Sequence, residues 1–157
     1  MMTFIARLIG RTEPSILEAR ERDAGAIAKL HAASFKRGWS EEEFHRLLSD
    51  RNVVGHCLSV GRTVIGFILS RLAAGESEIL SFAIAPAWRG RGFAGPLLDL
   101  HLRRLAGLGA RAVFLEVGDN NAPANRLYRN AGFYEVGGRY GYYDRDATAL
   151  ILRRDLS

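Results

Sequence analysis

At 157 residues the chain is long enough for one domain with a sizeable buried core, and its 48% hydrophobic and 25% charged residues are the mix of an ordinary globular protein. The net charge of +5 is spread along the chain as arginine and forms no basic tail, which suits an anionic small ligand better than nucleic acid. No apolar run is long enough to cross a membrane, and a single cysteine, Cys57, allows no internal disulfide.

The opening stretch MMTFIARLIGR is too short and too interrupted for a signal peptide, so a cytoplasmic protein is expected. Residues 1–14 are set apart as an N-terminal extension, and 15–157 are taken as a single domain. ILEAR (16–20) reads as a first strand, and a helix follows from Asp23, its expected N-cap. Ser40-Glu41-Glu42-Glu43 has the spacing of a capping box, with Phe44, Leu47 and Leu48 as the apolar face behind it. Residues 52–60 and 62–72 read as a hairpin about Gly61-Arg62, and Cys57 within it reads as a small core hydrophobe. A strand is expected from Glu78 to Ala85, where Pro86 stops it.

Leu97, Leu98, Leu102, Leu105 and Leu108 then recur at helical spacing, and Arg111–Val117 reads as the next strand. With a long helix between them, these two strands should be parallel neighbours joined by a right-handed crossover. Asn121 can cap a further helix that Gly132 ends, and FYEVG and TALILRR close the chain as strands. The expected fold class is α+β, a single mixed sheet, mostly antiparallel, with helices packed on it.

Between the two parallel strands stands Arg89-Gly90-Arg91-Gly92-Phe93-Ala94-Gly95, a cationic, flexible turn at a helix start. Backbone amides at such a start, with the helix dipole behind them, form an anion site, and glycine lets the anion approach the backbone. The turn lacks the Lys-Ser/Thr pair of a P-loop and the early position of a Rossmann turn. The four histidines, His31, His45, His56 and His101, show no metal-ligand spacing, and no metal is expected.

Arg89, Gly92 and Ala94 fill the pattern Arg/Gln-x-x-Gly-x-Gly/Ala. Asn121, Ala124, Leu127 and Tyr128, followed by Gly132-Phe133, fill N-x-x-A-x-x-L-Y…G-F. The order resembles the GNAT superfamily of N-acetyltransferases over roughly residues 16 to 154. Within it, WSEEEF (39–44), LEVGDNNAPANRLYRNAGF (115–133) and RYGYY (139–143) look most like the ribosomal-protein alanine N-acetyltransferases of the RimI type. Two positions depart from that type. Tyr140-Gly141 stand where Lys or Arg-Lys/Asn often precedes the paired tyrosines, and Asp144 stands where proline is common.

The resemblance implies a GNAT fold whose parallel central pair holds acetyl-CoA, the pyrophosphate being the anion at the turn. It places the cofactor against Ile84, Ala85, Arg89, Gly90, Arg91, Gly92, Phe93, Ala94, Gly95 and Asn121, with Asn121 equally suited to capping. Acetyl transfer to an amine needs a base for the amine and an acid for the departing thiolate. The family positions of these are Glu116 and Tyr128, and strand alternation turns Glu116 away from the face of Leu115 and Val117. Trp39, Tyr142 and Tyr143 would line the acceptor side. The implied function is direct acetylation of a protein N-terminal α-amine, with the N-terminal alanine of a small-subunit ribosomal protein as the expected acceptor. Acetylation of a small amine or a lysine, and a silent acyl-CoA-binding module, stand as alternatives.

Overall fold

The computed structural model describes residues 13–144 and 147–156, giving the backbone course alone for 139–144 and 147. The elements run β1 (Pro14–Glu18), α1 (Ala24–Ser34), α2 (Glu41–Ser49), β2 (Val53–Val60), β3 (Thr63–Ala73), β4 (Glu76–Ile84), α3 (Ala94–Gly107), β5 (Ala112–Gly118), α4 (Ala122–Asn130), β6 (Tyr134–Asp144) and β7 (Ala147–Asp155). Seven strands form one sheet in the order β1-β2-β3-β4-β5-β7-β6. Only β4 and β5 are parallel; every other neighbouring pair is antiparallel.

Helices cover both faces of the sheet. Under α1 and α2, Ala24, Ile27, Leu30 and Phe44 pack on Cys57, Phe67, Leu69 and Ala83. Under α3 and α4, Leu97, Leu98, Leu102, Leu105 and Tyr128 pack on Ile68, Ile79, Val113, Leu115 and Leu152. Buried on both faces in its middle, β3 carries a near-continuous apolar run, as a central strand must, whereas β4 alternates buried with more exposed positions until its end. Two bulges break their alternation: Ile65 is the extra residue of β3 against β2, and Leu80 the extra residue of β4 against β3. Cys57 is buried in the first layer, where desolvation pushes its thiol up to about 12, so it stays a protonated core residue.

The local signals act through identifiable bonds. Ser40 Oγ accepts the Glu43 N–H at 3.1 Å and Asn121 Oδ1 accepts the Ala124 N–H at 3.3 Å. Gly132, at φ +92°, ends α4, with the Phe133 N–H donated to Tyr128 O and the Gly132 N–H to Arg129 O. Other boundaries differ from the sequence reading. The first strand begins at Pro14 and stops at Glu18, because Ser15 to Glu18 pair with Ser59 back to His56. Asp23 does not cap α1 with its side chain; its Oδ2 accepts the Arg20 N–H at 2.8 Å and closes a 3-10 turn ahead of the helix. β4 begins at Glu76, directly after the left-handed pair Ala74-Gly75, whose φ angles of 54° and 79° make a tight hairpin. Leu108 lies just past α3 and is exposed, since the chain turns there toward Gly109.

Histidine pairs across the fold are not visible in the sequence spacing. His101 of α3 is fully buried; its Nδ1 lies 2.8 Å from His56 Nδ1 on β2, and its Nε2 lies 2.7 Å from Ser70 Oγ on β3. This polar chain fastens α3 to the two strands beneath it. Burial, together with the neighbouring His56, lowers His101 to about 3, so the ring is neutral at neutral pH.

Candidate active site

β4 and β5 pair over three registers only, Glu76 with Ala112, Ser77 with Val113 and Glu78 with Phe114. Beyond Glu78 the two strands share no further pairing, and the bulge at Leu80 turns β4 at that level. The result is an opening in the middle of the sheet, bounded by the C-terminal halves of both strands. In an open sheet, ligands enter where strands part in this way, outside their carboxyl ends.

The glycine turn closes one end of the opening. After Ile84 a 3-10 turn over Pro86–Trp88 leads to Gly90 and Gly92, both left-handed at φ +72° and +81°. A Cβ at Gly90, Gly92 or Gly95 would meet no atom within 4 Å, so space is left above the turn; Gly90 and Gly92 are dictated by backbone conformation, while Gly95 is helical. α3 then starts with no side-chain cap and no acidic residue in its first turn. Its leading amides and dipole are therefore uncompensated by the protein, which fits a diphosphate.

The two arginines of the turn are held differently. Arg89, though exposed, is committed to the protein: its Nε donates to Ile84 O at 2.9 Å and its Nη2 donates to Ser34 Oγ at 3.0 Å. It thus ties the turn to the end of β4 and to the last turn of α1. Arg91 lies over the Trp88 ring, 4.8 Å from its centroid, and Trp88 in turn meets Phe93.

Glu116 is half-buried on β5 opposite Ile151, on the sheet face turned from Leu115 and Val117. Tyr128 of α4 is buried on the other face, its ring 6.3 Å from Phe82 and 5.6 Å from Phe133. Glu116 and Tyr128 so flank the parting of β4 and β5 from opposite sides of the sheet. Asn121, capping α4, lies beyond the end of β5.

Trp39 is placed elsewhere. Its N–H donates to His31 Nδ1 at 3.1 Å, and its ring stacks on His31 at 4.9 Å and packs against Phe44. It lines a cleft of about 430 Å³ with Glu43, Arg46, Leu47, Asp50 and Arg71, which includes neither Glu116 nor Tyr128. Tyr142 and Tyr143 lie on β6, but their side chains fall outside the described residues, as do residues 1–12 of the extension. Among the described residues no group of His, Cys, Asp and Glu could hold a metal ion, and no helix is long and apolar enough to cross a membrane.

The profile of the acetyltransferase (GNAT) family matches residues 24–133, which takes in the glycine turn, β5 and α4. This chain belongs to the GNAT family. It is an N-acetyltransferase. It is 34% identical over 154 residues to the N-alpha-acetyltransferase RimI of Mycobacterium tuberculosis, covering 92% of this chain and 94% of that protein. It is 27% identical over 146 residues to the ribosomal protein bS18-alanine N-acetyltransferase of Escherichia coli, covering 91% and 97%. The crystal structure of the Escherichia coli ribosomal-protein alanine N-acetyltransferase superposes with a TM-score of 0.86 at 24% identity, over 92% of this chain and 95% of that one. NAA60 of Arabidopsis thaliana, solved in complex with acetyl-CoA, shares the fold at a TM-score of 0.80 and 19% identity, over 92% and 99%.

Several residues of this acetyltransferase escape a reading by sequence. Ser34 carries no motif, yet it receives Arg89. His31 is buried among Phe35, Trp39, Phe44 and Phe67 and orders the start of α2 through Trp39, although eight positions separate the bonded pair. Asn125 sits inside the N-x-x-A-x-x-L-Y stretch at a position the pattern leaves open, and its amide is the most connected side chain of α4's first turn.

Proposed function

We propose that this acetyltransferase moves the acetyl group of acetyl-CoA directly to the α-amine of a protein N-terminus, with an N-terminal alanine of a ribosomal protein as the acceptor. The observation that carries the reading is the parted pair β4–β5, with a carboxylate, Glu116, on one face and a phenol, Tyr128, on the other. The names of relatives that align over nine-tenths of both chains support the acceptor.

When bound, acetyl-CoA supplies an acetyl group activated as a thioester. The amides of Ala94 and Gly95 and the left-handed Gly90 and Gly92 would receive its diphosphate, and Arg89 holds their turn against β4 and α1. The edge of β4 that β5 leaves unpaired, around Ile84 and Ala85, would direct the arm between the strands. Glu116 takes the proton from the attacking ammonium, directly or through water, so that a neutral amine forms the new C–N bond. Tyr128 gives its phenolic proton to the sulfur as the C–S bond breaks, the new amide nitrogen releases its second proton to solvent, and the phenolate regains one from solvent. The family resemblance leaves the acceptor side to Tyr142 and Tyr143 on β6 and not to Trp39, whose cleft lies apart from Glu116 and Tyr128.

An α-amine, with a pKa of about 7.7–8.0, is roughly one-tenth neutral at pH 7, whereas a lysine side chain at about 10.4 is almost wholly charged. One carboxylate base therefore suits an N-terminus. Of the acidic run 41–43, Glu43 is engaged with Ser40, and all three stand at the positive end of α2, so the helix itself accounts for much of their presence.

The test is an acetyl-CoA assay on short peptides of differing N-termini with mass-spectrometric localisation. The expected product carries the acetyl on the α-amine of an alanine-initiated peptide, and blocking that amine stops turnover while lysines remain. Acetyl on lysine, or turnover of small amines without peptide activity, refutes the acceptor assignment.

A further inference from the structure

Glu116 and Tyr128 sit on different elements and faces, so their spacing depends on the turn from β5 into α4. Gly118, the last residue of β5, stands two positions after Glu116, and its carbonyl accepts both the Asn121 N–H at 3.1 Å and Asn125 Nδ2 at 3.0 Å. Asn125 Nδ2 also donates to Asn121 O at 2.8 Å. From the sheet side, Asp119 fixes the same turn to β7, donating its N–H to Thr148 O at 2.9 Å and accepting the Thr148 N–H on Oδ1 at 3.1 Å.

Because Asn125 Nδ2 faces two carbonyl oxygens, the orientation of the carboxamide is settled by its partners. Its Oδ1 is then left buried without a hydrogen bond among the described residues, a position shared only with Ser81 Oγ. A residue kept for packing alone would be apolar here, since Ala124 and Leu127 on the same helix pack on the core. Burying an unpaired acceptor is unfavourable, so what the amide contributes is its donors.

We propose that Asn125 is a positioning residue for acetyl transfer: by bonding Gly118 O and Asn121 O it fixes α4 to the end of β5 and so sets Tyr128 against Glu116. Asn125 touches no reacting atom. The inference rests on the reading of Glu116 and Tyr128 as base and acid.

The test is a double-mutant cycle with Asn125→Leu and Tyr128→Phe, read as kcat, KM for acetyl-CoA and melting temperature on the best peptide of the panel. Asn125→Leu should lower kcat on the order of 10- to 100-fold, as a small misplacement of a catalytic group does. KM for acetyl-CoA should stay within about twofold. In the Tyr128→Phe background the same substitution should change kcat little, because the group it positions is already gone. Fully additive losses, or an unchanged kcat in Asn125→Leu, overturn the inference while leaving the catalytic reading intact. Wild-type rates in both Tyr128→Phe and Glu116→Gln overturn the catalytic reading and this inference with it. Should Asn125→Leu not fold, Asn125→Asp keeps the size and turns an acceptor toward both carbonyls, and the same pattern is expected of it.

Discussion

The proposed roles of Glu116 and Tyr128 are different proton transfers, and single substitutions separate them. Tyr128→Phe keeps the ring that packs between Phe82 and Phe133 and removes only the hydroxyl, so the fold and the affinity for acetyl-CoA should hold while kcat falls. General acid or base help contributes roughly 10²- to 10⁴-fold, which sets the scale of the loss. Glu116→Gln removes the proposed base, and its rate should recover toward wild type as pH rises through the amine's own titration near about 8. Steady-state profiles from pH 6.5 to 9.5 check both. A Glu116→Gln enzyme with wild-type rates throughout that range takes Glu116 out of the mechanism.

At the scale of elements, the turn between β4 and α3 has a conformational and an electrostatic requirement that can be pulled apart. Gly92 at φ +81° has open space where a Cβ would go, so Gly92→Ala strains the backbone without a clash. Gly92→Asp adds a negative charge at the uncapped start of α3, where a diphosphate would lie. Calorimetry should show acetyl-CoA binding at least about tenfold weaker in Gly92→Asp, or about 1.4 kcal/mol, and a smaller loss in Gly92→Ala. Arg89→Ala should weaken binding less than Gly92→Asp, because Nε and Nη2 of Arg89 are already committed to Ile84 O and Ser34 Oγ. Unchanged affinity in a folded Gly92→Asp protein removes the turn from the cofactor site. The shape of this turn was legible because glycine spacing and the helix start act locally, as were the Ser40 box, the Asn121 cap and the Gly132 stop. What was not legible is non-local or depends on an extra residue. The bulges at Ile65 and Leu80 shift which side chains share a face, and no periodicity announces them. The insertion of β7 between β5 and β6 is a matter of sheet order, and the contacts of Arg89 with Ser34 and of His56 with His101 join residues 55 and 45 positions apart.

For the whole molecule, the buried histidines make acid the condition under which the fold weakens. His31, His56 and His101 come from α1, β2 and α3, so both faces of the sheet are involved. Each has a ring nitrogen facing a hydrogen-bond partner, and burial lowers all three from the ordinary 6.5. Glu43 opposes the shift at His31; at His56, Glu18 opposes it and Arg104 reinforces it. In the unfolded chain all three take a proton as pH falls through about 6.5, while in the folded protein each takes it at a lower pH than that, His101 at about 3. The unfolded state therefore binds more protons in this window, and stability is fully present above pH 6.5 and lost as pH falls toward 3. Each histidine held neutral contributes a slope of up to about 1.4 kcal/mol per pH unit. Melting followed from pH 7.5 to 5 should show the midpoint falling steadily below about 6.5. His101→Leu lowers the midpoint at every pH, because His56 and Ser70 lose their partner, but it should flatten the dependence between pH 6.5 and 5. If the slope in His101→Leu matches wild type, His101 takes up its proton equally in the folded and unfolded chain, and the strap between α3 and the sheet is not what acid loosens.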